Sequence, residues 1–168
     1  MASGAASHPV TVSGPARLDE TAVRAWGERV GRDVPTPVVI GLEGPLGAGK
    51  SVLARAIGRG AGVTEPMPSP SYNLLFRYPA GDGRTLVHLD LYRLERPDEL
   101  DELGWFELPA PDELVVVEWP GRAEGRLPSD HWSIRIDPVP GASHLRSVTA
   151  RPAGAPPALP LLGPDAGL

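Results

Sequence analysis

The sequence predicts an α/β fold in which a central mixed, mainly parallel sheet is flanked by helices and closed at its edges by hairpins. Three observations carry this prediction. A helical apolar stripe over residues 18–30 is followed by a short β-branched run, a glycine-rich turn and a second helical stripe. Two further apolar runs, 86–89 and 114–117, each end in an acid, Asp90 and Glu118. Two turn signals, Ala80-Gly81-Asp82-Gly83 and Pro140-Gly141, join alternating segments as hairpins.

Taken in order, Leu18, Ala22, Val23, Trp26 and Val30 fall on one helical face, with Asp19 placed to cap the start and Gly31 to end the helix. Pro35 and Pro37 break the chain, and Val38, Val39, Ile40 and Leu42 read as a buried parallel strand. Residues 51–58 read as a helix with Val52, Leu53, Ala56 and Ile57 facing inward. After a proline-rich connector over 65–70, residues 72–78 and 85–92 read as paired strands. Residues 97–103 form a short helix, with proline at its first position, acids in its first turn and Gly104 as a stop. A further strand over 114–118 precedes a hairpin of 132–137 with 145–151. Residues 1–16 and the proline- and glycine-rich stretch 152–168 lack a periodic apolar face and are expected to be flexible, leaving 17–151 as the domain.

The length of 168 residues fits one domain, and 41% apolar residues can furnish an ordinary core. Cysteine is absent, which excludes disulfides, thiolate zinc sites and cysteine nucleophiles. Histidines at 8, 88, 131 and 144 have no metal-ligand spacing. A net charge of −5 argues against a broad basic nucleic-acid face. No apolar run approaches the roughly 18 residues of a membrane span. Residues 1–16 show neither the basic nor the apolar stretch of a secretory leader, so the expected location is cytoplasmic.

Gly44-Pro45-Leu46-Gly47-Ala48-Gly49-Lys50-Ser51 fits G-x-x-x-x-G-K-[ST], the P-loop, set between a buried strand and a helix. Glycines let backbone N–H groups converge on phosphates without obstruction, and the following helix N-terminus adds its dipole. Lys50, the sole lysine among sixteen basic residues, supplies a mobile point charge where a planar guanidinium fits poorly. The Ser51 hydroxyl can ligate Mg2+. Nucleotide contacts are therefore expected from Gly44, Leu46, Gly47, Ala48, Gly49, Lys50, Ser51 and Val52. Asp90 and Glu118, each closing an apolar strand, are the candidate magnesium or water-activating carboxylates. The plain alternatives are a glycine-rich turn, a capping aspartate and a solvated strand end. His88 alternates with apolar residues and reads as structural. Ser69 and Ser71, in Ser69-Pro70-Ser71-Tyr72, sit where a nucleotide-sensing switch loop or a stiff connector would lie. Trp105 and Trp119 read as core or partner-facing aromatics.

Together these residues resemble the TsaE family, P-loop ATPases of bacterial tRNA threonylcarbamoyladenosine (t6A) synthesis. The matching pieces are the P-loop, Ser-Pro-Ser-Tyr at 69–72, His-Leu-Asp-Leu-Tyr-Arg-Leu at 88–94, Pro-Asp-Glu-Leu at 97–100 with Leu103-Gly104, and Val-Glu-Trp-Pro at 117–120. They cover residues 18–151 in the family's order. The resemblance implies a P-loop NTPase-like three-layer fold and an accessory ATPase that uses ATP and Mg2+. It implies partnership with TsaD, the threonylcarbamoyl transferase, and TsaB, with tRNA met only through that complex. The modified group it implies is N6 of adenosine 37 in tRNAs reading codons that begin with adenine. By motif position, Lys50 and Ser51 serve phosphate and magnesium, Asp90 and Glu118 are the acids, and Tyr92, Arg93 and Trp119 belong to the family signature.

Departures from the family pattern are Pro45 in place of a common Asp, and Ser51 and Ser71 in place of threonines. Serine keeps the hydroxyl, whereas Pro45 removes one loop N–H. Arg146 aligns with a basic residue near the family's C-terminus and is the nucleotide contact implied there. Two other readings use the same loop: a small-molecule kinase, for which Arg93 and Arg96 are the available lid arginines, and a non-catalytic nucleotide-gated scaffold.

Overall fold

The computed structural model describes residues 13–68 and 73–163. Seven strands form one sheet: β1 (Ser13–Asp19), β2 (Val38–Glu43), β3 (Leu75–Pro79), β4 (Thr85–Asp90), β5 (Glu113–Glu118), β6 (His131–Val139) and β7 (Ala142–Ala153). Their spatial order is β1-β7-β6-β2-β5-β4-β3. The parallel centre comprises β6, β2, β5 and β4. β3 pairs antiparallel with β4, and β7 and β1 continue the opposite edge antiparallel. Half of the ladders are thus antiparallel, so the mixed sheet expected from sequence has broader antiparallel margins than a mainly parallel one.

Helices α1 (Glu20–Asp33) and α2 (Lys50–Gly60) cover one face. Trp26, Val30, Leu53 and Ile57 pack there against Ile40, Leu42, Leu114 and Ile134. On the other face, Val39, Val87, Leu89, Val115 and Val117 meet Leu100 of the short helix α3 (Glu99–Glu102), together with Leu94, Trp105 and Leu108. The three layers explain why β2 reads as an unbroken apolar run, since both of its faces are covered.

The expected α1 cap is present: Asp19 Oδ1 accepts the Ala22 N–H at 2.8 Å. Gly31, however, does not end the helix, which runs on to Asp33. A Cβ at Gly31 would lie 1.9 Å from the Ile57 carbonyl oxygen, so glycine there permits close approach of α1 to α2. α2 extends one residue earlier and two later than expected, whereas α3 is shorter than 97–103. β3 begins at Leu75 and β4 stops at Asp90.

Residues 1–12 and 164–168 of the two stretches expected to be flexible lie outside the described residues, and the described parts take defined positions. β1 starts at Ser13 and pairs with β7 from Ala16↔Val148 to Asp19↔Leu145. β7 continues to Ala153, and the segment after it crosses α1 and β6. Trp26 Nε1 donates to Pro160 O at 3.0 Å, and Trp132 Nε1 donates to Pro157 O at 2.7 Å. Leu159 and Leu162 pack against the core, and Arg29 Nη2 donates to Gly163 O at 2.6 Å. Buried indole N–H groups need acceptors, and a proline-rich segment has no internal ladder to occupy its carbonyls. That is a reason for docking that apolar periodicity does not register.

Candidate functional site

The loop between β2 and α2 lies at the carboxyl ends of the parallel strands, where open α/β sheets collect ligands. Gly49 precedes α2 at φ 109°, a left-handed geometry that favours glycine, and contributes no side-chain cap. The first-turn N–H groups therefore face an open space with the positive end of the helix dipole behind them. At Gly44, φ is 146°, and a Cβ would stand 2.1 Å from Ile136 O. This brings the loop onto β6.

Lys50 is buried, and its Nζ donates to Gly44 O and Pro45 O, each at 2.8 Å. The ammonium also lies 4.1 Å from the centroid of the Trp119 ring. Burial lowers its pKa, while Glu118 and Asp90 act in the opposite sense. Ser51, the next residue, donates its Oγ–H to Glu118 Oε1 at 2.9 Å. Glu118 Oε2 lies 2.7 Å from His88 Nε2. The β4–β5 register sets Asp90 directly beside Glu118. Burial raises the Asp90 pKa, the Tyr92 N–H donated to Oδ1 offsets this, and the Glu118 charge adds to the rise.

These groups converge on a cavity of about 370 Å³ lined by Leu46, Gly47, Gly49, Lys50, Ser51, Val52, Asp90, Tyr92, Glu118 and Trp119. Leu46 and Tyr92 are exposed. Trp119 turns off β5 at φ 58°, and its ring packs against Tyr92 at 5.0 Å between centroids. Gly44 and Ala48 do not line it, and neither do Arg93 and Arg96, the lid arginines of the kinase reading. Ser69 and Ser71 lie outside the described residues.

A second cavity, about 340 Å³, opens on the other flank of the loop between the start of α1 and the β7 hairpin. Asp19, Thr21, Ala48, Gly49, Val52, Ser143, His144 and Arg146 line it. Arg146 Nε donates to Ala48 O at 2.9 Å, and its Nη1 to Ser143 O and Leu145 O. It braces the loop from behind while bordering this space. Asp19 reads in sequence as a cap, and Thr21, Ser143 and His144 belong to no motif. Only folding places them here.

The family model for threonylcarbamoyl adenosine biosynthesis protein TsaE matches residues 18–144. The chain belongs to the TsaE family. It is similar to the tRNA threonylcarbamoyladenosine biosynthesis protein TsaE of Streptomyces coelicolor, 36% identical over 131 residues, which are 76% of this chain and 88% of that one. The Synechocystis TsaE is 37% identical over 114 residues, 66% of this chain and 71% of its own. The crystal structure of Bacillus subtilis YdiB superposes with a TM-score of 0.67 at 27% identity, covering 88% of this chain and 90% of that one. Family and fold thus agree with the resemblance seen in the sequence, and the P-loop NTPase-like architecture is shared with the YdiB structure. Among the described residues, no helix is long and apolar enough to cross a membrane.

Proposed function

We propose that this TsaE family member is a Mg2+-dependent ATPase that serves t6A formation in the cytoplasm as an accessory subunit of a TsaD–TsaB complex, meeting tRNA only through that complex. One observation carries the reading: an uncapped helix N-terminus, the lone lysine and a hydroxyl–carboxylate pair open onto one cavity.

The loop N–H groups and the α2 dipole receive the phosphates, and Lys50 exchanges its bonds to Gly44 O and Pro45 O for phosphate oxygens. The donor set fits magnesium. The Ser51 hydroxyl donates its hydrogen bond to Glu118, which leaves its lone pairs available as a ligand, and Asp90 and Glu118 supply negative charge. Two carboxylates and a hydroxyl suit a cation that keeps several waters and shares its shell with phosphate. Bound there, Mg2+ would neutralise charge developing on the transferred phosphoryl oxygens. Burial raises the Asp90 pKa, and repulsion between its charge and that of Glu118 adds to the rise. Mg2+ held by Ser51, Asp90 and Glu118 would offset that repulsion, which ATP alone would worsen. Glu118 or Asp90 then orients the attacking water, and the second cavity, bordered by Arg146, stands ready for the nucleoside end.

The test is phosphate release from ATP with no added acceptor, with and without Mg2+ and partner proteins. Glu118→Gln should retain ATP binding and association with a TsaD–TsaB complex while losing hydrolysis by about tenfold to a thousandfold. Release that requires an acceptor would identify a kinase instead. Release unaffected by the substitution would leave Glu118 as a buried structural acid.

A further inference from the structure

We propose that His88 is a positioning residue for the Glu118 carboxylate, through which it sets the strength of Mg2+ binding beside Ser51. The inference rests on the magnesium–nucleotide reading above. It adds a residue that sequence alone assigns to the core.

His88 and Glu118 are each 1% exposed, on adjacent parallel strands β4 and β5. An ionised carboxylate only accepts, so with Glu118 ionised the 2.7 Å contact assigns the imidazole proton to Nε2. The other oxygen, Oε1, accepts from Ser51. Each oxygen therefore has its own donor, one from the strand and one from the start of α2. The Nδ1 of His88 is buried with no hydrogen-bond partner. The ring's one described hydrogen bond is the one to Glu118, so its polar function is spent there.

The physical consequence follows from burial. Without the Nε2–H, Oε2 would sit unsatisfied in the interior, a penalty the carboxylate relieves by rotating. Rotation takes Oε1 away from Ser51 and from the side of the group that faces the cavity. The Ser51 bond lies on the cavity side, where a cation would meet the hydroxyl lone pairs that the donated hydrogen bond leaves free. The His88 bond points inward and needs no change. It is the fixed half of the arrangement, in the manner of outer partners that orient ligands in metal sites generally.

The test compares His88→Leu, His88→Gln and His88→Asn for ADP affinity in EDTA and in Mg2+, with Mn2+ binding to the ADP complex read by electron paramagnetic resonance. Gln carries an N–H to nearly the reach of Nε2, whereas the Asn amide falls short. ADP affinity in EDTA should be the same in all variants. The gain in affinity conferred by Mg2+, and the Mn2+ affinity, should fall about 10- to 100-fold in His88→Leu and His88→Asn and recover in His88→Gln. A folded His88→Leu protein with the full Mg2+ gain overturns the inference. So do Gln and Asn variants that behave alike, and this comparison decides the matter should the Leu variant fail to fold. A wild-type protein that gains nothing from Mg2+ overturns the underlying magnesium reading, and the inference with it.

Discussion

Substituting Gly31 by alanine sets a local preference against a packing constraint. Alanine favours a helix interior over glycine by about 1 kcal/mol, so α1 taken alone would be strengthened. In the fold, the new Cβ would stand 1.9 Å from Ile57 O and 2.7 Å from Ala61 N, both backbone atoms of α2 or its cap. Relief to an ordinary separation of about 3.4 Å means shifting one helix by about 1.5 Å, because no side chain can swing aside. Overpacking of this kind costs about 1–3 kcal/mol and more where backbone opposes backbone, so a net loss of about 2–3 kcal/mol is expected. For a chain of this size that is a fall of about 4–12 °C in Tm. Urea and thermal unfolding provide the measurement. Gly121→Ala, where a Cβ meets nothing within 4 Å, is the neutral control. Gly27→Ala should fall between them, because its nearest neighbours are the side chains of Ala56 and Leu53. A Gly31→Ala protein as stable as wild type would refute the close α1–α2 approach. The displaced helix begins with Lys50 and Ser51, so ATP affinity should fall with stability.

Lys50→Ala should lower ATP affinity by at least about tenfold, the loss of a charged hydrogen bond to phosphate, while circular dichroism stays unchanged; undiminished affinity in a folded variant contradicts the phosphate assignment. Truncation after Ala153 should lower Tm, because it removes the acceptors of Trp26 and Trp132 and uncovers the side of the core met by Leu159 and Leu162. An unchanged melting curve would mean that the segment contributes nothing. Asp90→Asn should stabilise the nucleotide-free protein at neutral pH. Burial raises the Asp90 pKa, so the folded state holds its proton more tightly than the unfolded state. Its stabilising contribution is full below the unfolded pKa and is lost as pH rises through the folded one. The Tm advantage of Asp90→Asn should therefore shrink as the pH falls through the carboxylate range, and an advantage independent of pH would refute the assignment.

The part of the site legible in sequence is the part built from contiguous residues. From Gly44 to Ser51 the P-loop motif needs particular residue types in a fixed local order, and the buried run before it declares the strand. Asp90 and Glu118 were legible for a related reason, as acids ending apolar strands beside a phosphate loop. Their side-by-side register was not, because it depends on β4 pairing with β5 across a long connection. His88 gave only an alternating position, and its partner lies thirty residues away on another strand. Gly31 looked like a stop because glycine often ends helices, while its actual role requires knowing where α2 runs. The C-terminal segment lacked periodicity because its anchors are carbonyls under two indoles, which leave no trace in a hydropathy pattern.

The placement of the four tryptophans has an optical consequence. Trp26, Trp105 and Trp132 are buried, and each indole donates to a fixed carbonyl, of Pro160, Arg126 and Pro157 respectively. Their emission should be blue-shifted and indifferent to events at the phosphate loop. Trp119 is only half-buried, faces Tyr92 and has the Lys50 ammonium against its ring. A charge drawn away from an indole face changes both the energy and the quenching of its excited state. Difference spectra on adding nucleotide should therefore belong to this one chromophore. Trp119 would thus make the proposed departure of Lys50 from its own loop visible without any label.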